Sequence, residues 1–160
     1  MKTMEQRSAI HNTFVIERNY PVAPERVFAA FADPGKKRRW FAEGEGREVE
    51  QYEMDFRVGG KELSRFRISA PAPVKGMTCT NETSFLDIVP DRRVVFISAM
   101  ALGEKCISAS LVTFELVPSG TGTGLTLTHQ AAFFEGGDGP ERRQEGWLKL
   151  LEKLAAEFSH

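Results

Sequence analysis

Hydrophobic and polar positions along this chain follow two periods, and the switches between them mark out its elements. Thr13 to Tyr20 (TFVIERNY) is rich in strand formers and predicts a first strand, ended by Pro21. Pro24 then stands where the first turn of a helix tolerates proline. Val27, Phe28, Phe31 and Ala32 recur at helical spacing, so a short amphipathic helix is predicted over Pro24 to Phe31. Asp33-Pro34 signals a second helix start, because aspartate accepts from open N–H groups and proline fixes φ at the first helical position. The helix it opens carries Lys36, Lys37, Arg38 and Arg39 ahead of Trp40 and Phe41.

From Gln51 to Ala132 the pattern is one of strands and turns. Tyr52 to Phe56 and Lys61 to Ser69 predict strands joined at Val58-Gly59-Gly60, where glycine permits positive φ, with Pro71 and Pro73 closing the second. Met77 to Val89 and Arg93 to Met100 predict a pair around Pro90-Asp91. Ser108 to Val117 alternates, with Val112, Phe114 and Leu116 on one face and Thr113 and Glu115 on the other. The hairpin loop Ser119 to Gly124 leads to a last strand on which Leu125, Leu127 and His129 share a face. After a loop from Phe134 to Gly139, Trp147, Leu151, Leu154 and Phe158 form a helical apolar stripe, widened by Leu148, Leu150 and Ala155. Gly146 inside that helix costs about 1 kcal/mol relative to alanine, which predicts a close approach to the backbone there and, beside Trp147, a cavity at the helix.

This order predicts an α+β helix-grip fold: a curved antiparallel sheet of six to seven strands wrapped around a long C-terminal helix, with two short helices after the first strand. One domain is expected over residues 1–160, with 1–12 as a mobile tail. A helix only about 10 Å wide cannot cover such a sheet from edge to edge, so the sheet must curl and leave a cavity. Trp40, Phe56, Phe66, Phe85, Phe96, Phe114, Leu127, Trp147 and Leu151 are the candidate pocket walls, and His129 is the first polar group to place among them. Asp55 and Arg57 share a strand face beside the glycine turn, either at the pocket mouth or as a structural pair.

Charge and composition narrow the partners. The formal net charge of −1 offers no global field for a polyanion or an anionic membrane. Lys36 to Arg39 reads as a solvated face, and no basic stripe or recognition module accompanies it, so nucleic acid is not an expected partner. Gly120 to Gly124 leads into a strand, whereas a phosphate loop leads into a helix. No apolar run is long enough for a membrane span and no apolar leader stands at the N-terminus, which together with two unpaired cysteines, Cys79 and Cys106, predicts a cytoplasmic protein with reduced thiols. Asn81-Glu82-Thr83 matches a glycosylation sequon only by chance on that reading. No metal-ligand spacing and no cofactor motif occur.

Several of these motifs, in this order, resemble one family: Val22-Ala23-Pro24-Glu25-Arg26-Val27-Phe28, Asp33-Pro34 followed by Trp40, Asp55 to Gly60, Val112 to Leu116, Leu125 to His129, and Gly146-Trp147 with Leu150, Leu151 and Leu154. The chain is similar to the family related to the activator of the ninety-kilodalton heat-shock protein's ATPase (AHSA-like). That family lies within the helix-grip superfamily of START domains, pollen-allergen-like proteins and polyketide cyclases. The resemblance implies a helix-grip fold with a hydrophobic ligand pocket, and it spans carriers, sensors, cyclases and cochaperone domains alike. The eukaryotic cochaperone carries a further N-terminal domain for which this chain leaves no room, so ATPase activation is not the expected role.

Three readings follow. The first is a noncatalytic protein that binds a small apolar or aromatic molecule, with a homodimer left open. The second is a polyketide-cyclase-like enzyme using His129 as its acid–base residue, since an unperturbed imidazole titrates near neutrality. The third is a cochaperone-type interaction domain. Against the second stands the ordinary alternative that His129 is a buried imidazole satisfied by a carbonyl or water.

Overall fold

The computed structural model describes residues 8–69 and 74–159, so Pro71 and Pro73 lie outside the described residues. The chain runs β1 (Ala9–Tyr20), α1 (Pro24–Ala32), α2 (Pro34–Lys37), a π-helical turn (Arg38–Ala42), β2 (Arg47–Met54), β3 (Lys61–Ile68), β4 (Thr78–Val89), β5 (Arg93–Leu102), β6 (Lys105–Ser119), β7 (Gly122–Phe134) and α3 (Gly139–Ala156). All seven strands form one antiparallel sheet in the order β1-β7-β6-β5-β4-β3-β2. The two short helices carry the chain from one edge strand, β1, to the other, β2. Register slips at Val49/Gln51, Phe85/Asp87 and Met100/Ala101 bend and twist the sheet, and supply the expected curl.

Several boundaries differ from the sequence expectation. β1 begins at Ala9, inside the segment read as a tail, because Ile10 and Asn12 pair with Phe133 and Ala131 of β7. β2 begins at Arg47, before the expected Tyr52, and pairs with β3 from Ile68 to Glu62. The glycine-rich hairpin is tighter than its composition suggests, since Gly122 to Gly124 already belong to β7. At the β2–β3 turn the glycines behave as expected. Gly59 has φ +85°, and a side chain on Gly60 would collide with the Asp55 carbonyl.

Asp33 caps α2 as expected, its Oδ1 accepting from the Gly35 and Lys36 N–H groups at 2.8 and 3.3 Å. The wide turn that follows closes with the Glu43 N–H on the Arg38 carbonyl at 2.9 Å. It seats Trp40 in the core, where its indole N–H donates to the Ala30 carbonyl at 2.8 Å. The basic run beside it is solvated except at Lys37. Lys37 is 3% exposed and pairs with Glu62 at 3.0 Å, while Tyr52 donates to the other Glu62 oxygen at 2.6 Å. Arg38 and Arg39 bind Glu43 and Glu157.

The core fills one end of the sheet's concave face. Phe14, Ile16, Val94, Phe114, Leu116, Leu125 and Leu127 meet Val27 and Phe31 of α1 and Leu151 and Leu154 of α3. The Tyr20 hydroxyl donates to the Leu151 carbonyl at 3.0 Å and its ring meets Phe158 edge-on, which anchors the C-terminal half of α3.

Candidate functional site

Following the strands away from this core, the inward positions change character. One row across the sheet reads Phe85, Phe96, Val112, His129 and Phe14. The next reads Thr83, Ser98, Ser110 and Ala131, and the one beyond it Asn81, Met100, Ser108 and Phe133. Small and polar side chains replace the bulky ones in the first of these two rows, which leaves space between the sheet and the helix. The result is a cavity of about 310 Å³ between the sheet and the N-terminal half of α3. That is the lower end of the roughly 300–1,000 Å³ range of small-molecule sites.

Of the residues proposed from sequence, Phe66, Phe96, His129 and Trp147 line this cavity. Trp40, Phe85, Phe114, Leu127 and Leu151 are packed in the core instead, and Phe56 packs against it through Phe28 and Phe85. Asp55 and Arg57 bind each other at 2.7 Å, both exposed, and neither lines the cavity. Asn81 of the chance sequon is part of the cavity wall.

The polar wall is built by residues that sequence patterning passed over. Arg143, one turn before Trp147 on the same helical stripe, is 7% exposed. Its Nε donates to Asp138 Oδ2 at 2.7 Å, and its Nη2 donates to Asp138 Oδ1 at 2.9 Å and Ser108 Oγ at 2.8 Å. This bidentate clasp ties the start of α3 to β6 and neutralises the buried guanidinium. The only available signal was position: Arg143 extends the Trp147, Leu151, Leu154 stripe by one turn.

His129 is 1% exposed, stacked on Phe14 and flanked by Phe133, and its Nδ1 is buried with no hydrogen-bond partner. Burial first, and the Arg143 charge second, push its pKa down to about 4. The imidazole is therefore neutral at physiological pH, and the expectation that it titrates near neutrality is corrected. Cys79, also on the wall, is pushed up to about 11 by burial.

Gly146 faces the cavity, and a Cβ built on it would meet no atom within 4 Å. The expected close approach to the helix backbone is absent. The missing side chain instead leaves room. Among the described residues no group of three His, Cys, Asp or Glu side chains comes together as a metal site. No described helix is long and apolar enough to cross a membrane.

A curved antiparallel sheet holding a C-terminal helix over an internal cavity defines a helix-grip protein of the START type. Within that class, the chain belongs to the family described as Activator of Hsp90 ATPase homolog 1-like protein, whose model matches residues 21–159. The Mll3558 protein from Rhizobium loti is 51% identical, with 94% of this chain and 99% of that chain covered and a TM-score of 0.83. An uncharacterized protein from Rhizobium leguminosarum is 34% identical over 94% of this chain and 95% of its own, with a TM-score of 0.85. The AHSA1 (SPO3351) protein from Silicibacter pomeroyi is 28% identical over 92% and 98%, with a TM-score of 0.71. No curated protein matches. The family fits a ligand-binding or a cochaperone-like domain.

Proposed function

We propose that this protein binds a small apolar or aromatic molecule between the sheet and α3 and carries out no chemistry on it. The observation behind this reading is the pairing of an aromatic-walled cavity of about 310 Å³ with the buried, unpartnered Nδ1 of His129. A buried polar atom without a partner costs on the order of 1–3 kcal/mol, a cost that a ligand hydroxyl or N–H would remove. Phe66, Phe96 and Trp147 supply flat apolar surface around it. A cyclase-like role is less well supported. With a pKa near 4 the imidazole is neutral at pH 7, so it lacks the acidic proton of an imidazolium and is a weak base. Its neighbours are two phenyl rings rather than an orienting carboxylate.

Native mass spectrometry of the protein purified from its source host, with extraction of bound material, tests the reading. The expected result is a stoichiometric small apolar molecule that His129→Gln binds more weakly. Consumption of that molecule by the wild type but not by His129→Gln would replace the binding role with catalysis. A clean apo mass together with no uptake of a neutral fluorescent probe such as phenylnaphthylamine would remove the cavity from function and favour an interaction surface.

A further inference from the structure

Among the described residues the cavity wall contains three arginines but one aspartate, and the arginines are not equivalent. Asp138 is fully engaged by Arg143, and Arg142 is exposed. Arg47, at the start of β2, is different. Its guanidinium lies 4.6 Å over the Phe66 ring, and among the described residues its one side-chain hydrogen bond runs from Nη1 to the Phe41 carbonyl at 3.0 Å. Among the described residues no carboxylate pairs with it, and residues 70–73, Ala-Pro-Ala-Pro, carry no acidic group. Burial lowers its pKa, and the nearby Lys153 feels it as a like charge. A partly desolvated guanidinium with four spare donors is an unusual wall for an apolar pocket, since buried charges are ordinarily paired.

Resting on the cavity-binding reading above, we propose that the ligand is an apolar acid whose carboxylate is held by Arg47. Arg47 stands on β2 at one edge of the sheet, whereas His129 stands on β7, next to the opposite edge. The apolar body would lie along Phe66, Phe96 and Trp147, with its acidic end at Arg47 and its far end toward His129. The planar fork of a guanidinium matches a carboxylate in two parallel hydrogen bonds, which a lysine cannot reproduce. Phe66 beneath the fork keeps it oriented.

Decanoate and decanol, the same chain with and without the charge, are titrated against bound phenylnaphthylamine. Decanoate should displace the probe at a concentration about tenfold lower than decanol, the scale of one net hydrogen bond between charged groups. Arg47→Met, which keeps an apolar stem over Phe66, should bring the two displacement concentrations together. Arg47→Lys should keep only part of the preference. Arg47→Gln is measured in parallel with melting curves, so that loss of the fold is not mistaken for loss of the acid site. Equal displacement by the two ligands in the wild type would overturn the assignment while leaving the cavity reading intact. So would a preference that survives Arg47→Met or disappears only in Arg142→Met. No binding of phenylnaphthylamine to the wild type would sink both readings.

Discussion

His129 lies flat against Phe14, with ring centroids 4.5 Å apart and planes 8° from parallel. Residues 115 positions apart in the chain meet because β1 pairs with β7 in the register Phe14 to His129. The stack closes one side of the imidazole to water, and the Arg143 charge discourages protonation further. A base whose folded pKa lies below its unfolded value takes up more protons when the chain unfolds. Its contribution is present above about pH 6.5 and lost as pH falls toward about 4. The shift corresponds to roughly 3 kcal/mol. Urea unfolding between pH 4 and 7 should show this slope in the wild type and a shallower one in His129→Gln. Identical slopes would mean that the imidazole is not desolvated.

The buried pair of Lys37 and Glu62 makes a second, independent claim on stability. Its side chains are 3% and 2% exposed, and Tyr52 completes the carboxylate's hydrogen bonds. Removing one partner leaves an uncompensated charge, so Lys37→Met should cost on the order of 3–5 kcal/mol. Lys37→Met combined with Glu62→Leu should recover most of that loss, because no charge is then left unpaired. Denaturant midpoints of the two variants check it. A small loss in Lys37→Met would show that water reaches the pair.

These two sites mark where sequence patterning stopped being informative. Period alone placed Leu125, Leu127 and His129 on one face, and Trp147, Leu151 and Leu154 on one stripe, because burial imposes those periods locally. It does not say which row of the sheet is filled and which is open. Phe85 and Phe114 became core, Phe66 reached the cavity, and Phe96 belongs to both. That division depends on the register that sets Ser98 beside Ser110. Lys37 read as part of a solvated face and Arg143 was passed over, and their burial rests on Glu62 and Ser108, which lie 25 and 35 positions away. Arg47 was passed over for the same reason: what marks it is the lack of a partner, visible only in three dimensions.

The two cysteines should differ sharply in reactivity. Cys106 is exposed, whereas Cys79 is 5% exposed and its thiol is pushed up to about 11 by burial. Since the thiolate is the reacting species, Ellman's reagent should titrate one thiol promptly in the native protein and the second only after denaturant is added. Cys106→Ser should remove the prompt phase. Two prompt thiols would mean that the cavity wall around Cys79 opens readily.

Gly146 separates the two explanations a glycine in mid-helix allows. If another backbone pressed against α3 there, any side chain would be destabilising. The structure instead leaves open space at that position, on the cavity side of the helix. Gly146→Ala should therefore stabilise the protein by about 1 kcal/mol through helix propensity alone, raising the melting temperature by about 2–4 °C. Gly146→Leu should also fold, but its side chain would enter the space a ligand needs, so phenylnaphthylamine uptake should fall while melting does not. A lower melting temperature in Gly146→Ala would restore the close-approach explanation. Unchanged uptake in Gly146→Leu would place the binding volume elsewhere along the sheet.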